Sequence, residues 1–205
     1  MSNQAIYRTL RGAGLTAEGA CGLMGNMMAE SGMKSNIAQR GMTSMSDEQY
    51  TTAADTGLID FTRDSVGYGL CQWTYYTRKA ALLACARNRG VSVGDEAMQV
   101  LFCIKELRED YSAVWDKLCT SHDLLDCAQT VCLFYERPAV NNVGQRYKYA
   151  QNFFDTLAPE NPPDNHSAGA GDTPDFSGAF GILAEYIKTQ EFQDGFLAFA
   201  AKREG

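Results

Sequence analysis

The 205-residue sequence predicts a mainly α-helical domain. Two observations carry this. Through most of positions 1–157, apolar residues recur at helical spacing between recognisable start and stop residues. The one long stretch without that period, 33–66, is polar and contains no run suited to building a large sheet.

The elements follow in order. Ser2 can cap a short first helix that ends at Gly12–Gly14. Thr16 caps a second, running to about Ser31, with Gly32 placed as its stop. Residues 33–66 are rich in Ser, Thr, Asp and Gly and read as a long loop with room for a small hairpin. "GYGLCQW" (67–73) is a Gly-rich turn feeding an apolar segment. Thr74 or Thr77 then starts a helix through "RKAALLACARNR", closed by Gly90. Asp95 caps "EAMQVLFCIKELRE", and shorter helices are expected at about 111–119 and 122–136, the latter halted before Pro138. A last helix covers about 144–157, which makes about seven in all.

The composition changes after this. "APENPPDNHSAGAGDTPD" has the Pro, Gly, Asp and Ser content of a linker. The expected organisation is a domain over 1–158, a linker over 159–174 and a helical extension over 175–205. The extension is too short for its own core, so it reads as a docking element or the start of a second domain.

Bulk properties exclude some classes. The net charge is -7 and no Lys/Arg-rich run is present, which argues against nucleic acid as the main partner. No apolar run is long enough to insert in a membrane, and the N-terminus lacks the apolar core of a signal peptide. The seven cysteines, Cys21, Cys71, Cys85, Cys103, Cys119, Cys127 and Cys132, are odd in number and show no zinc spacing. They read as buried free thiols, which fits folding in a reducing cytoplasm. No metal and no cofactor is called for.

Two stretches can carry chemistry. In "GNMMAESG" (25–32), Glu30 shares a helix face with Leu23 and Met27. An apolar face and the negative end of a helix both favour the neutral acid, the form a glycosidic general acid needs. In "SVGYGLCQW", glycines allow close backbone approach, and Tyr68 and Trp73 offer flat faces for sugar rings. Either motif alone also fits a plain structural role: a helix end pointing into water, or a turn packing Trp73 inside.

Together, "GLMGNMMAESG" and "DSVGYGLCQWTYYTRKAALL" resemble the phage tail-type lysozyme family, and "FYERPA" (134–139) and "RYKYAQNFFDTL" (146–157) resemble its closing helices. More distantly, the ES pair and GxGLxQ segment are similar to goose-type lysozymes and lytic transglycosylases. The resemblance covers about residues 1–158 and implies a lysozyme-like helical domain with a loop or small hairpin at its cleft. It implies Glu30 as the catalytic acid and Tyr68, Gly69, Leu70 and Gln72 as cleft residues, Gln72 bonding an N-acetyl or hydroxyl group. Trp73 and Tyr147 join them as expected sugar contacts.

The implied reaction cuts the β-1,4 bond between N-acetylmuramic acid and N-acetylglucosamine in bacterial peptidoglycan. An inverting hydrolase also needs a base, for which Asp64 is the first choice and Asp55 and Asp60 compete. A lytic transglycosylase needs none and leaves a 1,6-anhydro product. Tyr135, Tyr147 and Tyr149 read mainly as core residues with tethered hydroxyls, and Glu136 as structural. The expected setting is a phage virion or the host cytoplasm until release, with other tail or lysin components as further partners.

Two rival readings remain. One is a Cys71 thiol amidase or endopeptidase with His122 or His166 as base. The other is a non-catalytic peptidoglycan-binding tail module.

Overall fold

The computed structural model describes residues 1–159, so the linker beyond Pro159 and the extension at 175–205 lie outside the described residues. Eight α-helices are present among them: α1 (Asn3–Gly12), α2 (Ala17–Ser31), α3 (Asp47–Thr56), α4 (Tyr76–Arg89), α5 (Glu96–Asp110), α6 (Ser112–Thr120), α7 (Leu124–Thr130) and α8 (Val143–Leu157). A π-helical turn, Val131–Glu136, continues α7. No helix among the described residues is long and apolar enough to cross a membrane.

The expected caps hold. Ser2, Thr16 and Asp95 each accept a backbone N–H of the first turn, and Gly32 and Gly90 close their helices in the left-handed conformation. Tyr75, rather than Thr74 or Thr77, is the N-cap of α4, and no side chain caps that helix.

Helix α2 is the axis of the domain. It is buried without a break from Gly19 to Met27. Helices α6, α7 and α8 close on it where it has no side chains. A Cβ on Gly19 would fall 2.0 Å from the Leu118 carbonyl oxygen, and one on Gly25 would fall 2.6 Å from that of Arg146. Buried Asn26 ties the same face by donating to the carbonyls of Gly22 and Ala128 at 2.9 and 3.0 Å. These contacts fix where the last turn of α2, carrying Glu30, points.

The 33–66 region differs from expectation. It holds helix α3, started by a full capping box between Ser46 and Gln49 and buried on Tyr50, Ala53 and Ala54. In place of a hairpin, the structure has isolated bridges of Tyr68 with Ala38 and with Trp73.

Two consecutive residues of α4 make ion pairs, Lys79 to the 33–66 region and Arg78 to α5. Lys79, with no exposed surface, bonds the Asp64 carboxylate, the Val66 carbonyl and the Tyr50 hydroxyl, and stands 4.2 Å from the Phe61 ring centroid. Burial lowers the Lys79 pKa against the pull of Asp64. Arg78 makes a bidentate pair with Glu106 at 2.7 and 2.8 Å and covers the Tyr135 ring.

Candidate active site

A cavity of about 640 Å³ lies between the end of α2, the 37–40 segment, the 71–78 segment and the chain just after the π-helical turn. That is within the usual range for a ligand site. Glu30, Gln72 and Glu136 all line it.

Glu30 is 19% exposed and accepts a hydrogen bond from Arg146 Nη2 at 2.6 Å. Arg146 also donates to Asn26 Oδ1 at 3.0 Å, so α8 grips α2 and the carboxylate in one fork. Glu30 is therefore not a lone acid on an apolar face, as the spacing of α2 suggested. The guanidinium comes from a residue far away in sequence.

Glu136, read from the sequence as structural, lies at the cavity. It makes no ion pair with Arg137 or Arg146 and caps no helix; instead it borders the cavity. Its Oε1 is buried with no hydrogen-bond partner. Burial, then the negative charge of Glu30, push Glu136 up to about 8, against the pull of Arg78 and Arg146.

Local geometry explains the placement. Pro138 disfavours the α conformation at Arg137, which sits in the left-handed region at φ 50°. The π turn before it shifts the register, so that Tyr135 is buried and Glu136 meets the cavity.

Gln72 lines the cavity from a left-handed backbone, φ 45°. Its Nε2 donates to the carbonyls of Ile37 and Gly69. None of the described residues donates to its Oε1, which leaves an acceptor for a ligand.

Several expected cleft residues lie elsewhere. Tyr68, Leu70 and Trp73 have no exposed surface. The Tyr68 hydroxyl is 2.6 Å from Thr51 Oγ1, the Leu70 N–H donates to Gln99, and Trp73 Nε1 donates to Glu106 at 3.0 Å. Gly69 is needed for a close approach, because a Cβ there would fall 2.6 Å from Gln99 Oε1. The Tyr68 bridges turn these side chains inward, so the aromatic rings build the floor's support rather than its surface. Tyr147 is half-buried on α8, bonds Gln151, and does not line the cavity.

Asp64 requires correction as well. Its oxygens are engaged by Lys79, the Tyr50 hydroxyl and the Val66 N–H, and it is not among the cavity residues. It pairs with the buried Lys79 ammonium and so ties the loop to α4. Asp55 accepts from Ser92 and Val93, and Asp60 from Thr62.

Cys71 borders the cavity, yet burial pushes its thiol up, away from the thiolate a nucleophile needs. His122 lies beside Glu18 on an exposed surface, and His166 is outside the described residues. All seven cysteines are free thiols. Tyr135 is a core residue whose hydroxyl donates to Glu106 at 2.7 Å.

No curated protein matches this chain. The profile of the phage tail lysozyme family matches residues 2–157, the whole of the helical domain that carries Glu30, Gln72 and Glu136; the chain belongs to the phage tail lysozyme family.

Proposed function

We propose that this chain is a muramidase. It cuts the β-1,4 bond between N-acetylmuramic acid and N-acetylglucosamine in peptidoglycan. Family membership supports a peptidoglycan-lytic, lysozyme-like function. One observation supports the finer reading: two carboxyl groups in unlike environments, Glu30 and Glu136, line one cavity. Unlike environments divide acid from partner in a glycosidase site.

In this reading Glu30, the group open to the cavity, protonates the glycosidic oxygen as the bond breaks, water adds to the anomeric carbon, and the Glu30 carboxylate takes the water's proton back. Arg146 holds its carboxyl in place and balances the charge left behind. Glu136 stays neutral up to about pH 8 and donates its proton in a hydrogen bond to the sugar. Gln72 Oε1 accepts from an N-acetyl N–H or a hydroxyl. The setting that fits is a phage particle, or release from the host at lysis.

The proton-holding surroundings of Glu136 favour one second reading, in which the roles are exchanged. Glu136 is then the acid, and Glu30 stabilises the developing positive charge on the sugar.

Mass spectrometry of digested peptidoglycan tests both. Sugar cuts with reducing muramic ends are the expected products. Anhydro-muramic ends would make the enzyme a lytic transglycosylase, and peptide cuts or no products would overturn the reading. An inactive Glu30→Gln with a merely slowed Glu136→Gln supports the first assignment, and the opposite pattern supports the exchange.

A further inference from the structure

The Glu30 cavity does not stop at its own rim. Thr74 and Tyr75 also line a second, more open groove, completed by Thr62, Arg63, Ser65 and Tyr76. Three features of this groove are costly for a surface that binds nothing. Tyr75 and Tyr76 are 62% and 53% exposed, with ring centroids 4.8 Å apart. Tyr75 occupies the N-cap of α4 without capping it, although threonines stand on either side of the tyrosine pair. Ser65, which also lines the groove, is a non-glycine residue at φ 60°.

Strain gathers along this path. Of the four non-glycine residues with positive φ among the described residues, Ser65 lines the groove, and Gln72 and Arg137 line the cavity. The fourth, Met33, follows the Gly32 stop of α2. The Arg63 guanidinium makes no hydrogen bond or ion pair with the described residues.

We propose that the Tyr75–Tyr76 groove is a glycan subsite that extends the Glu30 cavity. The proposal rests on the glycan-cleaving reading above and adds the path of the strand. Continuity favours this occupant over a protein, because Thr74 and Tyr75 are walls of both spaces and a polymer leaving the cavity on that side crosses them. The rings offer electron-rich faces to the C–H face of a pyranose. They are tilted by 50° to each other, so each serves a different sugar of the strand. Arg63 supplies donors for hydroxyl or acyl oxygens along the edge.

The test uses the full chain and glycan strands stripped of stem peptides by an amidase. The comparison substrate is a tetrasaccharide of alternating N-acetylglucosamine and N-acetylmuramic acid. Tyr76→Ala, at the ring that lines the groove and not the cavity, should raise KM on long strands about threefold, one aromatic contact's worth, and leave kcat nearly unchanged. The tetrasaccharide should show little effect. Tyr76→Phe should behave as wild type, since the ring rather than the hydroxyl binds. Far-UV circular dichroism checks the fold of each variant.

Strand binding to Glu30→Gln, with and without Tyr76→Ala, separates the two proposals. Unchanged KM and unchanged binding in the alanine variant overturn the subsite, as does an equal loss on the tetrasaccharide. A wild-type chain that cuts no glycan, while Glu30→Gln binds strands through Tyr76, overturns the muramidase and keeps the subsite. Absence of any strand binding overturns both.

Discussion

Glu106 and Glu136 are both acids that feel the charge of Arg78, and they are used in opposite ways. Glu106 takes four hydrogen bonds: two from Arg78, one from Trp73 and one from Tyr135. Glu136 has a buried oxygen that takes none and keeps its proton up to about pH 8. A buried carboxylate with both oxygens engaged is part of the framework. In the proposed reading, one with an unpartnered oxygen in a cavity wall is held ready for the sugar. Partner count, more than burial or charge, therefore separates the two roles, and the same criterion moves Asp64 to the framework.

Removing a framework partner should have the largest effect. Glu106→Ala strands the Arg78 guanidinium in the cavity wall, and urea unfolding should show a loss of about 3–5 kcal/mol. A loss below about 1 kcal/mol would break the contrast. Glu30→Gln comes next. It should keep the fold and lower turnover about 10²-fold or more, roughly 2.7 kcal/mol in barrier, measured as muropeptide release.

Glu136→Gln sharpens the comparison through pH. The folded protein holds this proton more tightly than the unfolded chain does. The resulting stability is full below pH ~4.5, is lost as pH rises toward about 8, and is constant above. Across that window wild type should lose on the order of 2 kcal/mol relative to Glu136→Gln, read from paired denaturation curves at pH 5, 6.5 and 8.5. Parallel behaviour of the two proteins would remove the basis for a neutral Glu136.

Asp64→Asn should have the smallest effect. Lys79 keeps Tyr50 and Val66 as partners, and burial already eases loss of its proton. Stability should fall by about 1–2 kcal/mol, with turnover changed less than about threefold. A dead but stable Asp64→Asn would restore it as a base.

Much of the fold was legible because helix ends are local chemistry. Ser2, Thr16 and Asp95 needed only their own first turns, and Gly32 and Gly90 only their own last. Helix α3 was missed: the Ser46–Gln49 box is a local signal, but the helix's polar residues hid the period. The site was harder to read. Glu30 and Gln72 lie in short motifs that announce themselves. Glu136 enters through a π turn, a register shift set by packing, and Arg146 reaches Glu30 across more than a hundred positions. The aromatic residues misled for a related reason. Tyr68 and Trp73 share a turn with Gln72, yet the bridges fold their rings inward, while Tyr75 and Tyr76, only a few residues on, remain in water.

The missing side chain at Gly25 reaches further than its place on α2 suggests. The α8 backbone rests against that bare patch, and the same stretch of α8 carries the arginine that grips Glu30. Helix spacing is thus a gauge for the reacting acid. One methyl group added five residues upstream would pry the two helices apart and loosen the grip without touching a charge or the cavity wall. Drift in this sequence is then most restricted where the chain has least substance, and a screen for inactive variants would find steric lesions on α2 as readily as chemical ones in the cleft.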